Sequence, residues 1–347
     1  MRVARMHQTV VGYLKKNRER NTVPFKMFNV VTAIALGWLV STGFASSSFA
    51  QDNNKKLPYP SVTDVSHATN PAAHVFEGFF TAKSLHDGKT MVSFFGPDPV
   101  LYIDAGLGFA WPSRAALLQV WTNPPFSTAN PDALSYPLRV IGDCNSALIE
   151  FVDTPPLLGK EFRFLSSITF NSKCQIVRWI DYWDGRSSQT HLPIGCCFGP
   201  YPTDFHDGVV NASATIKKVA QALQNAFSVG DAAKAAQLFT PDAVFEDMAL
   251  HTRVEGQLQI QRYLTRGLGL LPYGTGGTSA SLVHVVGSDQ GGGYEWRAAM
   301  GALPLQRGIT ALELDDNGKI TRFTTIYDSF QFPDATYKSL VALGAEQ

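Results

Sequence analysis

Apolar residues recur at helical spacing at the start of two long stretches of the chain. Val75, Phe79 and Leu85 share one face of a helix predicted over Pro71–His86, with Pro71 suited to its first turn. Ile216, Val219, Leu223 and Phe227 do the same later on, and Gly230 closes that helix. A short second helix follows each. Gly88–Phe95 is stopped by Gly96-Pro97, and Asp231–Phe239 opens on Asp231 as N-cap. β-prone runs come next, Val100–Asp104 and Ala243–Met248, the second with a return strand near Thr252–Val254. A third helix is predicted in each stretch, over Ser113–Trp121 and over Gln257–Leu268. The pattern then turns to strands broken by Gly, Asn, Asp and Pro. Leu138–Ile141, Ala147–Val152, Phe162–Phe170 and Gln175–Tyr182 are the first set; Leu282–Val286, Tyr294–Met300, Ile309–Leu314 and Ile320–Tyr327 are the second. Asp315-Asp316-Asn317-Gly318 is a hairpin turn.

The two stretches are copies of one plan. A shift of 144 positions lays Phe95-Gly96-Pro97-Asp98-Pro99-Val100 under Phe239-Thr240-Pro241-Asp242-Ala243-Val244. The same shift pairs Ile176-Val177-Arg178-Trp179 with Ile320-Thr321-Arg322-Phe323, and Trp183-Asp184 with Tyr327-Asp328. Two distant windows with one offset mark a tandem repeat. Helices first and a meander last is an α+β plan. The expected fold is two tandem cone-shaped domains, each a curved antiparallel sheet wrapped on three N-terminal-side helices. The boundaries are 71–184 and 211–333, with a Pro- and Gly-bearing linker at 185–210, a flexible lead-in at 51–70 and a C-terminal tail at 334–347.

Charge changes the picture at the N-terminus. Of the 29 basic and 29 acidic residues, seven and one fall in residues 1–50, so the rest carries 22 basic against 28 acidic. A mildly acidic body argues against nucleic acid as a partner. Residues 1–50 read as a signal peptide: a basic region to Lys26, an apolar run Val30–Val40, then Ser48-Phe49-Ala50 before Gln51. The expectation is export to the periplasm or medium, or a membrane anchor if the segment stays uncleaved. Export permits disulfides. Cys144 and Cys174 both sit in turns, so they either bridge at one end of a sheet or stay as thiols. Cys196-Cys197 reads as a brace in the linker.

The order of elements, with Phe-Thr-Pro-Asp-Ala-Val-Phe-Glu-Asp at 239–247 and Leu-Glu-Leu-Asp-Asp-Asn-Gly-Lys-Ile-Thr-Arg-Phe at 312–323, resembles the nuclear transport factor 2-like superfamily. It is most similar to the SnoaL-like and ketosteroid-isomerase-like branch. The resemblance spans Asn211–Phe332 well and Asn70–Asp184 more loosely. It implies one fold with many functions: isomerases, dehydratases, cyclases, or non-enzymatic binding domains. It also implies an internal pseudo-dimer of the two repeats or a homo-oligomer, and no cofactor. Asp247 falls where the isomerase general base lies. Leu223 and Thr310 fall where its acidic hydrogen-bond donors lie, which removes those donors. In the first repeat the same ungapped match gives Ile103, with Asp104 one residue along. That divergence makes the second repeat the expected active one.

Asp247 shares a strand face with Ala243 and Phe245, so it is either a pocket carboxylate with a raised pKa or an exposed turn acid. His284 shares a face with Leu282 and Val286, and is either the acid/base partner of Asp247 or a core residue. These two are the candidate catalytic residues. His251 and Arg253, across a hairpin, either bind an anionic or carbonyl group or are solvated. Thr310 is a hydrogen-bond partner for Asp247, and Tyr263 completes the ligand-contacting set of the second repeat. In the first repeat, Tyr102, Asp104, Trp111, Arg163, Asp181 and Trp183 line an aromatic-walled cavity, or Asp181 pairs with Arg163 instead. No HExxH, GxSxG or His/Cys cluster occurs, so neither a metal nor a covalent nucleophile is implied. The function expected is acid/base conversion of a hydrophobic small molecule by an isomerase, cyclase or dehydratase. The alternative is an exported binding or protein-interaction domain pair.

Overall fold

The computed structural model describes residues 56–124, 126–188, 202–208, 211–275, 280–298 and 307–345. The 1–50 segment, Cys196, Cys197 and much of the 185–210 linker lie outside them. In chain order the first half carries β1 (Asp64–Ala68), α1 (Asn70–Ser84), α2 (Gly88–Ser93), β2 (Leu101–Asp104), β3 (Phe109–Trp111) and α3 (Arg114–Trp121). Then come β4 (Ser135–Gly142), β5 (Ser146–Asp153), α4 (Pro155–Leu158), β6 (Phe162–Phe170), β7 (Ile176–Tyr182) and α5 (Gly185–Ser188). The second half carries α6 (Ala214–Ser228), α7 (Ala232–Ala236), β8 (Phe239–Asp247), β9 (Thr252–Glu255) and α8 (Gln257–Gly267). It ends with β10 (Ala280–Ser288), β11 (Gly291–Ala298), β12 (Arg307–Leu314), β13 (Ile320–Tyr327) and α9 (Asp334–Ala345).

Local chemistry sets the helix starts. Ser113, Ser213, Asp87 and Asp231 each accept a hydrogen bond from the backbone N–H three residues on, as side-chain caps do. The helix expected to reach Phe239 stops at Ala236, and the apolar Phe239 instead opens β8. Within 56–70 and 334–345 the chain forms a strand and a helix where a lead-in and a tail were expected. Asp64–Ala68 pairs in parallel with β4. Residues 334–345 form α9, whose Leu340 is buried in the second core.

Two sheets result, ordered β1-β4-β5-β6-β7-β2-β3 and β10-β11-β12-β13-β8-β9. The meanders β4–β7 and β10–β13 are antiparallel, while β2 and β8 join β7 and β13 in parallel. Equivalent glycines keep the plan at the first hairpin of each meander. Gly142 and Gly287 have φ of 127° and 121°, and a Cβ there would stand 2.5 and 2.3 Å from a backbone oxygen.

Each curved sheet closes on its helices around an aromatic core. In the first, the Trp179 ring lies 4.8 Å from that of Phe79 and stacks on Tyr102 at 5.9 Å. In the second, Phe245 stacks on Phe323 at 4.2 Å. The outer sheet faces pack against each other through a third apolar layer that includes Leu101, Ile103, Leu165, Met248, Ile309 and Ile326. Two buried charge clusters flank it. Arg139 donates to Glu150 (2.6 Å) and Glu313 (2.7 Å). Arg178 and Arg307 lie 2.6 and 2.9 Å from Glu295, which also accepts from Tyr182 (2.6 Å). The arginines hold the Glu295 carboxyl far below the usual range against its burial. The Cys144–Cys174 disulfide ties the β4–β5 turn to the β6–β7 turn. Among the described residues no helix is long and apolar enough to cross a membrane.

Candidate active site

Asp247 ends β8 with its side chain inside the second cone. Alternation along the strand sends Phe245 and Asp247 inward, while Glu246 bonds Arg322 (2.8 Å) and Met248 joins the layer between the sheets. One Asp247 oxygen accepts from the Leu250 N–H at 3.0 Å. The other accepts from the hydroxyls of Tyr273 and Tyr327, both at 3.1 Å. Burial nevertheless lifts its pKa to about 7, because desolvation outweighs three donors. In turn, burial and the Asp247 charge push Tyr263 and both bonded tyrosines up. The hydroxyls of Tyr263 and Tyr294 and the indole N–H of Trp296 are buried there without a hydrogen-bond partner among the described residues. Thr310 faces the same interior but bonds the Thr325 hydroxyl (3.1 Å), not Asp247. Phe332 and α9 pack over this core, and the Asp247 side chain has no exposure.

The first cone holds the matching carboxylate, and it is Asp104. The ladders decide this. Asp247 stands opposite Thr325 in β13, whereas Asp104 stands opposite Asp181 in β7, and 181 and 325 are 144 apart. The first repeat is one residue longer between Phe95 and the end of this strand than the second is from Phe239, so the ungapped match to Ile103 fails. Ile103 faces the layer between the sheets. Asp104 repeats the Asp247 geometry: its Oδ1 accepts from the Leu107 N–H (2.8 Å) and from the Trp183 indole (2.9 Å). Burial and the neighbouring Asp181 raise its pKa, again to about 7. Asp181 accepts from Ser166 and Trp179, both at 2.5 Å, and from Tyr102. Burial raises it too, partly offset by those donors. Lys83 pairs with Asp153 (2.8 Å) in the same interior. Here the site is not sealed: Tyr102, Asp104 and Trp111 are all partly exposed.

Two expected members lie elsewhere. His284 does not meet Asp247. A bulge between Leu282 and His284 breaks the alternation, so Leu282 faces the second cone while His284 points between the sheets. There its Nε2 lies 3.4 Å from the Thr169 hydroxyl, and burial with Arg178 nearby lowers its pKa to about 4. It is a neutral core residue. Arg163 does not pair with Asp181 or line the first cone. It alternates with Phe162 and Phe164, which face inward, and so projects from the opposite face of β6. It lines a cleft between the repeats together with His251 and Arg253. Arg253 bonds Glu255 at 2.8 Å.

Tyr273, Tyr327 and Lys83 are the site residues that periodicity missed. Tyr327 was within reach, since the 144 shift already set it against Trp183, the donor to Asp104. Tyr273 sits after a helix with no strand pattern to orient it. Among the described residues no group of three or more His, Cys, Asp and Glu could hold a metal ion.

Residues 219–323, most of the second cone, match the family described as SnoaL-like domain. No curated protein matches the chain. Among solved structures it is similar to an NTF-2 like protein of unknown function from Burkholderia xenovorans LB400, at 18% identity over 36% of this chain and 91% of that one (TM-score 0.29). A steroid delta-isomerase from Pseudomonas aeruginosa is 18% identical over 39% and 92% (TM-score 0.30). A SnoaL-like protein of unknown function from Burkholderia thailandensis E264 is 10% identical over 34% and 98% (TM-score 0.29).

Proposed function

We propose that the protein is a cofactor-independent acid/base catalyst of the isomerase or lyase type, acting on a small apolar molecule admitted to the first cone. Asp104 is the proton-carrying group. One observation carries the reading: both repeats set a carboxylate at the same strand end, held by the same i+3 backbone donor, with its pKa near 7. A carboxyl so poised takes and returns a proton at neutral pH with little free-energy cost either way. Trp183 and the Leu107 N–H both hold Oδ1, which fixes the group and leaves Oδ2 to face a substrate C–H or hydroxyl. Trp111, Tyr102 and Trp183 supply an apolar wall, and Asp181 is the second carboxylate beside the reacting centre. Asp247 keeps the same chemistry in a closed cone, and it serves a substrate only when α9 lifts. An exported location is part of the proposal, supported by residues 1–50 and by the Cys144–Cys174 disulfide.

The sealed second cone favours a second reading, in which the pair only binds ligands. Proton–deuterium exchange of a panel of apolar ketones, followed by NMR with the full chain, separates the two. Wild type should exchange a substrate α-proton, Asp104→Asn should lose on the order of 100-fold or more, and Asp247→Asn should keep most of the rate. Loss confined to Asp247→Asn would move the chemistry to the second cone. Equal rates in all three proteins would leave the binding reading.

A further inference from the structure

Between the sheets, on the side of Arg163, lies a cleft of about 450 Å³ whose lining includes Glu161, Phe162, Arg163, Met248, His251 and Ile326. We propose that this cleft binds a small carboxylic acid with an aromatic body, anchored by Arg163. Its size is that of a small-molecule site. The symmetry of the two repeats supplies the ligand class.

Leu165 pairs with Tyr182, and Ile309 pairs with Ile326, so the 144 shift holds at these strand ends. Arg307 is therefore the counterpart of Arg163, and Tyr182 that of Ile326. At Arg307 the place is taken by the chain itself. The Phe205 ring lies 3.9 Å from the Arg307 guanidinium. The Asp207 carboxylate accepts two hydrogen bonds from it, at 2.6 and 2.9 Å. Arg178 also donates to the Phe205 carbonyl at 2.7 Å. An aromatic ring over the guanidinium plane and a carboxylate on its fork is what this arrangement selects.

Among the described residues the first repeat has no such plug. Gly208 bridges His284 in parallel, as Asp64 pairs with Arg139 at the matching edge. The segment equivalent to Phe205-His206-Asp207 is thus Ser61-Val62-Thr63, which brings neither ring nor acid. Among the described residues Arg163 has no ion-pair partner, whereas Glu246 is held by Arg322 and Arg253 by Glu255. Glu161, exposed at the rim, opposes an anion, as do Asp184, Glu246 and Asp247 of the same lining where they are ionised.

Calorimetric titration of the full chain with 3-phenylpropionate, and with 3-phenylpropan-1-ol as the uncharged control, tests this. The acid should bind about tenfold or more tightly than the alcohol. Arg163→Gln should erase that difference without moving Tm, since the side chain is exposed. Glu161→Gln should tighten acid binding. Asp104→Asn should keep the preference for acid over alcohol, because Arg163 is unchanged. Equal affinity for acid and alcohol would overturn the proposal. So would a preference for acid that survives Arg163→Gln, or one that is lost in Asp104→Asn.

Discussion

At the scale of single residues, burial without a countercharge dominates. Asp247 has three hydrogen-bond donors and still titrates near 7, because none of them is charged. The consequence for stability has a definite sign. Its folded pKa lies above the unfolded value of about 3.9, so the folded state keeps a proton that the unfolded state releases. Stability is therefore lost as pH rises from about 4 through 7, by roughly 4 kcal/mol for this group. Asp247→Asn should abolish that loss. His284 runs the other way. Its folded pKa of about 4 lies below the unfolded value near 6.5. Stability is lost as pH falls from 6.5 to 4, by about 3 kcal/mol, and His284→Gln should remove the dependence. Urea unfolding of both variants across pH 4–8 checks the pair of slopes. The inward aim of Asp247 was legible from Ala243 and Phe245 beside it. Asp104 was legible as a cavity residue but not as the counterpart of Asp247, because a one-residue slip between repeats flips a strand residue to the other face, and an ungapped match hides the slip.

At the scale of elements, the pattern of apolar positions located the helices and the meander strands well, and misjudged what an irregularity does to direction. The bulge before His284 turns a residue read as catalytic into one that packs between sheets. Short elements such as Phe109–Trp111 carry too few residues for any period to show. The turn chemistry, by contrast, was readable: Cys144 and Cys174 lie in turns that the meander brings to one end of the sheet, where they are bonded. The bridge closes a loop of 30 residues. Replacing both cysteines by Ala should cost about 3–4 kcal/mol in denaturant unfolding while leaving the circular dichroism spectrum unchanged.

At the scale of the molecule, the 144-residue repeat dictated two cones, while nothing in the pattern said how they meet. The residues that join them are polar strand positions, Arg139, Arg178, Glu295 and Arg307, whose partners lie on the facing sheet as well as their own. Glu295 is the centre of one cluster, and Glu295→Ala should destabilise by about 3–5 kcal/mol in chemical unfolding, since it leaves buried Arg178 and Arg307 to share the one remaining carboxylate, Asp207. The first cone's carboxyl is partly exposed and the second's is fully buried, so the proposed chemistry rests on Asp104. Carbon-13 NMR titration of the Asp104 carboxyl in the full chain, assigned with Asp104→Asn, measures that claim directly. A pKa near 7 that shifts when an apolar ketone is added is the predicted result; a value near 4, unmoved by any ketone, would contradict it.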